Sequence, residues 1–186
     1  MRTCLLKFRD SMLELKNVRA ITQMAMLMAL SLILNLFASI QITESLKLSF
    51  GFLATAMMGM LFGPSLAGIG AALIDILQAF IKPTGPYFPG FTLTAALSGV
   101  IFGLVLYKNQ ASLPRLILAK ALINLLLNLL LNSLFISVLY GSAFWAMLPT
   151  RLLKNVAMLP IEVVLLYLLL PNLIRLQKMF SNKKTG

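Results

Sequence analysis

Three sets of polar residues interrupt an otherwise oily chain, each at a spacing that collects on one face of a helix. Asp75, Gln78 and Lys82 form the first, Lys120, Asn124, Asn128 and Asn132 the second, and Arg151, Asn155, Met158 and Glu162 the third. A central Asp or Lys costs about 2.5–3.5 kcal/mol to place in lipid, so these stripes must face one another or water. Depth separates their roles. At about 1.5 Å of rise per residue, Lys120 lies roughly 10 Å into its helix, and Glu162 reaches a similar level from the opposite side. The two are expected to form a buried, structural ion pair. Asp75, Asn128, Asn132, Asn155 and Arg151 project toward the other half of the bundle, where with Lys82 they outline a cavity.

The segment Gly85-Pro86-Tyr87-Phe88-Pro89-Gly90-Phe91-Thr92-Leu93-Thr94 is placed to cover that cavity. Glycine and proline free its backbone from helix, and its rings can stack on a flat ligand. Arg151 can grip a carboxylate through two parallel N–H groups, with Lys47, Lys82 and Lys154 adding positive charge. Asp75 can accept from the paired N–H donors of an amino-pyrimidine edge. A flat, amino-bearing heterocycle with a carboxylate tail satisfies all three. The plainer alternative is hydrogen bonding between helices, with lysines snorkelling to the interface.

The composition excludes other chemistries. The chain has no His and a single Cys, Cys4, so a metal centre lacks ligands and no disulfide can form. No phosphate-binding G-x-x-x-x-G-K-[ST] loop and no G-x-S-x-G nucleophile turn is present. An intramembrane enzyme would have to use Asp75 or Glu162 as its only base, so an enzyme is not expected, and no cofactor is expected in this chain. The net charge of +11 flanks apolar runs and does not form a patch for nucleic acid.

The elements that must hold these residues are membrane helices. Hydrophobic residues make up 60% of the chain and charged ones only 11%, with a mean hydropathy of +0.93. Soluble domains average about 25% charged residues, so lipid is the solvent here. The expected fold is an all-α membrane protein of six transmembrane helices, about 19–40, 46–62, 65–81, 91–107, 114–140 and 149–170. It forms one membrane domain over residues 1–186, with a basic tail at 1–18, the bundle at 19–173, and a second basic tail from 174. An even count puts both termini on one side. Arg2, Lys7, Arg9, Lys16, Arg19, Lys108, Arg115, Arg175, Lys178, Lys183 and Lys184 then share it, which makes that side the cytoplasm. Ala25 and Ala29 form a small-residue face on the first span, where a partner helix can approach closely.

Several of these segments resemble the substrate-binding S components of energy-coupling factor (ECF) vitamin transporters. They are Leu48-Ser49-Phe50-Gly51-Phe52, Leu61-Phe62-Gly63-Pro64, Asp75, the aromatic loop, and Leu148-Pro149-Thr150-Arg151-Leu152-Leu153-Lys154-Asn155. The loop and the Pro-x-Arg segment are most similar to the folate branch. The resemblance spans about Ala25 to Leu170. It implies a multi-pass protein of a bacterial cell membrane that captures folate from outside. It also implies a transmembrane T component docked at Ala25 and Ala29, and two partner ATPases that use the ATP. Within matching segments it points to Tyr87, Phe88 and Arg151, and the polar stripes add Asp75, Lys82, Phe91, Asn128, Asn132 and Asn155 as substrate-binding residues. Another ring-bearing nutrient, such as a queuosine precursor, riboflavin or thiamine, is the alternative cargo. A stand-alone secondary transporter would need repeated, interrupted helices, and none stands out.

Overall fold

A computed structural model describes residues 2–37, 40–43, 46–48, 50–83, 87–109, 112–141 and 144–182. Gly85 and Pro86 of the aromatic loop, and Ser49, lie outside them. The helices are α1 (Arg2–Leu13), α2 (Val18–Phe37), α3 (Gly51–Phe62), α4 (Pro64–Ile81), α5 (Pro89–Leu106), α6 (Leu113–Leu122), α7 (Asn132–Tyr140) and α8 (Phe144–Asn182). Between α6 and α7 the chain continues without a break as a π-helix, Ile123–Leu131. Among the described residues, five helical stretches are long and apolar enough to cross a bilayer: Val18–Phe37, Pro64–Ile81, Pro89–Leu106, Leu113–Leu139 and Leu148–Asn172.

Proline sets the starts. It occupies the first turn of α4, α5 and α6, where its missing N–H has no intrahelical partner to lose. Gly63, at φ 85°, supplies the left-handed corner that lets α3 turn directly into α4. Within α8, Pro149, Pro160 and Pro171 are all carried inside the helix. The helix therefore runs on past Pro171, where the sequence suggests an end.

Two other boundaries differ from expectation. The second span begins at Gly51 and has 12 residues, which is short of a full crossing. The residues before it form a small antiparallel hairpin, Ile40–Thr43 with Leu46–Leu48, joined by the pairs Ile40↔Leu48 and Gln41↔Lys47. Pattern alone treats 46–48 as helix because a short apolar run looks the same in either state.

The core is tightest where α3, α4 and α5 meet. Ala56, Met58, Ala67, Phe102 and Leu106 are essentially inaccessible there. Such closeness needs residues without side chains. A Cβ added to Gly99 would collide with the backbone of Ala67, and one at Gly103 with the backbone of Pro64. We expect Gly99→Ala to lower stability by about 1–3 kcal/mol through overpacking, measured as thermal or denaturant unfolding in detergent. Helix propensity alone would favour alanine by about 1 kcal/mol, so an unchanged or raised midpoint would refute the contact.

At this end of the bundle α1 folds back as a cap. The Ser11 hydroxyl donates to the Phe62 carbonyl at 2.6 Å and accepts from the Leu66 amide at 3.1 Å, stitching across the Gly63 corner. Lys7 Nζ donates to the Leu104 carbonyl at 2.8 Å, in the last turn of α5 where carbonyls lack helical partners. Lys108 bonds Asp10 at 2.6 Å. That hydrogen bond holds the Asp10 carboxyl below its ordinary range and raises the Lys108 ammonium above its own. The opposite end of the bundle is left for the cavity.

Candidate functional site

A cavity of about 460 Å³ opens among α2, α3, α4, α5, the π-helix and α8. That volume is in the range of small-molecule sites. Many of its wall residues come from the halves of the helices nearest the hairpin and the 83–88 connection. Ser31 and Asn35 are late in α2, Gly51 and Thr55 early in α3, Asp75 and Gln78 late in α4, and Phe91 and Thr94 early in α5.

Asp75 forms one side. Thr92 Oγ1 donates to Asp75 Oδ2 at 2.7 Å, and the Tyr87 hydroxyl lies 2.8 Å from the same Thr92 oxygen. The threonine has one proton and gives it to the carboxylate, so Tyr87 must donate to Thr92. This chain ties the aromatic segment to Asp75 while leaving the carboxylate further lone pairs for a ligand.

Beside it, Asn35 Nδ2 donates to Gln78 Oε1 at 3.1 Å, joining α2 to α4. A side chain at Gly51 would occupy the space of the Asn35 amide. Glycine at the head of α3 therefore keeps this part of the wall polar.

The facing side is the asparagine ladder. Asn132 Nδ2 donates to Asn128 Oδ1 at 3.2 Å, Asn128 Nδ2 to Asn124 Oδ1 at 3.1 Å, and Asn124 Nδ2 to Glu162 Oε2 at 2.9 Å. Most of it lies in the π-helix, whose i→i+5 bonds put more than four residues in a turn. Residues four apart therefore stay nearly in line instead of drifting ahead around the helix.

The ladder ends deep in the bundle on the ion pair expected from depth, Lys120 Nζ to Glu162 Oε2 at 2.9 Å. Lys120 is only 2% exposed, and its ammonium also sits 4.5 Å from the centroid of the Phe52 ring. Desolvated in this way, each charge relies on the other and on the hydrogen bonds around it.

Near the mouth, Phe88, Phe91 and Phe135 form a cluster with ring centroids 5.4 to 6.3 Å apart in tilted and edge-to-face arrangements. Of the three, Phe91 lines the cavity, and Phe88 and Phe135 pack against its ring.

Of the nine substrate-binding residues expected from sequence, Asp75, Phe91, Asn128 and Asn132 are brought together on the cavity wall. Lys82, Tyr87, Phe88, Arg151 and Asn155 are outside it. Lys82 is exposed beyond the end of α4, and Tyr87 is exposed but bonded through Thr92. Arg151 and Asn155 are half-buried on α8, about three turns and two turns before Glu162. They sit on the mouth side of the ion pair. Ala25 and Ala29 are exposed on α2.

Ser31, Asn35, Thr55, Gln78 and Ser98 also line the cavity without having been assigned to it. Ser31 and Asn35 carry a usable signal, because they are four residues apart in an apolar span. Thr55 and Ser98 stand singly among small residues and give none.

Comparisons with known proteins place the chain in a family. The family model of the ECF transporter substrate-specific component matches residues 19–170. The chain is 39% identical over 153 residues to the folate transporter FolT of Clostridium novyi (strain NT), covering 82% of this chain and 88% of that protein. It is 33% identical over 162 residues to the folate transporter FolT of Leuconostoc mesenteroides subsp. mesenteroides, covering 84% and 86%. Among solved structures, a crystal structure of FolT bound with folic acid superposes with a TM-score of 0.75 at 38% identity. It covers 82% of this chain and 93% of that one.

Proposed function

We infer that this chain, which belongs to the family of ECF transporter substrate-specific components, binds folate from outside a bacterial cell and passes it to a shared energising module. The observation that carries the reading is the pairing, across one cavity, of the Asp75 carboxylate with the Asn128 and Asn132 amides. The amino-pyrimidine edge of a pterin supplies two N–H groups in line for Asp75, and its ring can lie against Phe91. Arg151 and Lys154, half-buried toward the mouth, and Lys82 beyond it, would meet the carboxylates of the glutamate tail. The likeness to a FolT crystallised with folic acid supports the same choice.

In this reading α3 completes six crossings with the five longer helices, its 12 residues extended by the hairpin. Both termini then lie in the cytoplasm, with α1 as a cytoplasmic cap. The exposed Ala25 and Ala29 face of α2 would receive the transmembrane T component, and two partner ATPases would supply the energy. Nothing in the chain itself would bind ATP.

The purified chain is expected to be stabilised by folic acid. Saturation at a hundredfold excess over Kd corresponds to about 2.7 kcal/mol, read as a rise in the thermal midpoint in detergent. A rise with riboflavin or thiamine and none with folic acid would exclude folate as the cargo.

A further inference from the structure

We propose that Asn124, from behind the cavity wall, and Glu162, at its deep end, set ligand specificity by dictating which edge of the Asn128 and Asn132 amides faces the ligand. This rests on the folate reading of the site and adds the means by which it chooses among pterins.

An asparagine amide has a donor end and an acceptor end of nearly equal size, and only its neighbours decide which way it turns. Here the decision is made at the bottom. Glu162 Oε2 lies 2.9 Å from Lys120 Nζ, and the carboxylate of such an ion pair can only accept. Asn124, 2% exposed and not on the cavity wall, must therefore turn its NH2 toward Glu162 Oε2. Its oxygen then faces the next amide, which forces Asn128 to donate, and Asn128 in turn forces Asn132. At the top the Thr94 hydroxyl lies 3.0 Å from Asn132 Oδ1 and 2.8 Å from the Phe91 carbonyl, so its proton is directed to oxygens and the ladder closes with the same polarity.

The consequence reaches the wall. The Asn128 oxygen already accepts from Asn132 and the Asn132 oxygen from Thr94, so each has one of its two lone pairs engaged, and each NH2 has spent one of its two protons. A ligand therefore meets the second N–H of each amide beside an oxygen that already accepts once. The cavity thus has an accepting side at Asp75 and a donating side at the ladder. A 2-amino-4-oxo pteridine matches both, with N–H groups at the 2-amine and ring N3, and acceptors at the 4-oxo group and N5. A 4-amino pteridine reverses the pattern at position 4, presenting N–H to N–H.

The test compares folic acid with its 4-amino analogue by titration calorimetry on the full chain in detergent. Asn124→Leu removes the link to Glu162 without adding or deleting a group on the wall. The wild type is expected to prefer folic acid, and in Asn124→Leu that preference should shrink by about tenfold, the effect of one mismatched neutral hydrogen bond. A merely structural role would weaken both ligands in parallel and leave their ratio unchanged. Should the leucine variant fail to fold, Asn124→Ser breaks the same two hydrogen bonds with less bulk. A wild-type ratio near one, or a ratio preserved in the Asn124 variant, would overturn the relay. Failure of the wild type to bind either pterin would instead overturn the folate reading.

Discussion

Asp75→Asn is expected to weaken folic acid binding by about 30-fold to a few thousandfold, because it turns an acceptor into a donor and does not merely delete a contact. Thr92 Oγ1 already donates to this side chain at 2.7 Å. In the variant that proton would engage the amide oxygen, leaving the amide NH2 to face the N–H edge of the pterin. Truncating one member of a buried, charge-assisted pair costs about 2–5 kcal/mol, and each 1.4 kcal/mol is a factor of ten in Kd. The effect is read by titration calorimetry, and by loss of the ligand-induced rise in melting temperature. Asp75 is half-buried and lines the cavity, so the ligand-free variant should fold. A Kd within threefold of the wild type would remove Asp75 from the binding site.

The second large effect is on stability. Lys120→Met is expected to destabilise the ligand-free protein by about 3–5 kcal/mol, the usual result of leaving one buried charge without its partner. Glu162 would remain 14% exposed, with Asn124 still donating to it but with no cation. Restoring neutrality with Lys120→Met and Glu162→Leu together should recover most of the loss, since two apolar residues in an oily bundle carry no desolvation penalty. Unfolding of the two single variants and the double variant gives the coupling directly. Additive losses, with no recovery in the double variant, would mean that the two charges do not depend on each other.

Much of this was legible in the residues. The apolar runs demand lipid, and every peptide group in lipid needs a partner, so helices follow from composition. Gly63-Pro64 marks a corner between helices, and the corner is there. The level of a residue along its own helix follows from counting, which is why Lys120 and Glu162 could be paired from their depths alone.

What counting cannot supply is the rotation and tilt of one helix against another. Periodicity tells which residues share a face, but the direction of that face is chosen by packing. Gly99 and Gly103 let α5 close on α4, and Gly51 makes room for the Asn35 amide. These contacts turn Asp75, Phe91, Asn128 and Asn132 onto one wall, bring in Ser31, Asn35 and Thr55, and leave Lys82, Arg151 and Asn155 off it. The π-winding of Ile123–Leu131 and the hairpin ahead of α3 are likewise tertiary outcomes, because a short leucine-rich or apolar run accepts more than one backbone form. Depth and solvent were thus settled by the sequence acting along each segment, whereas the site exists only through the angles at which those segments meet.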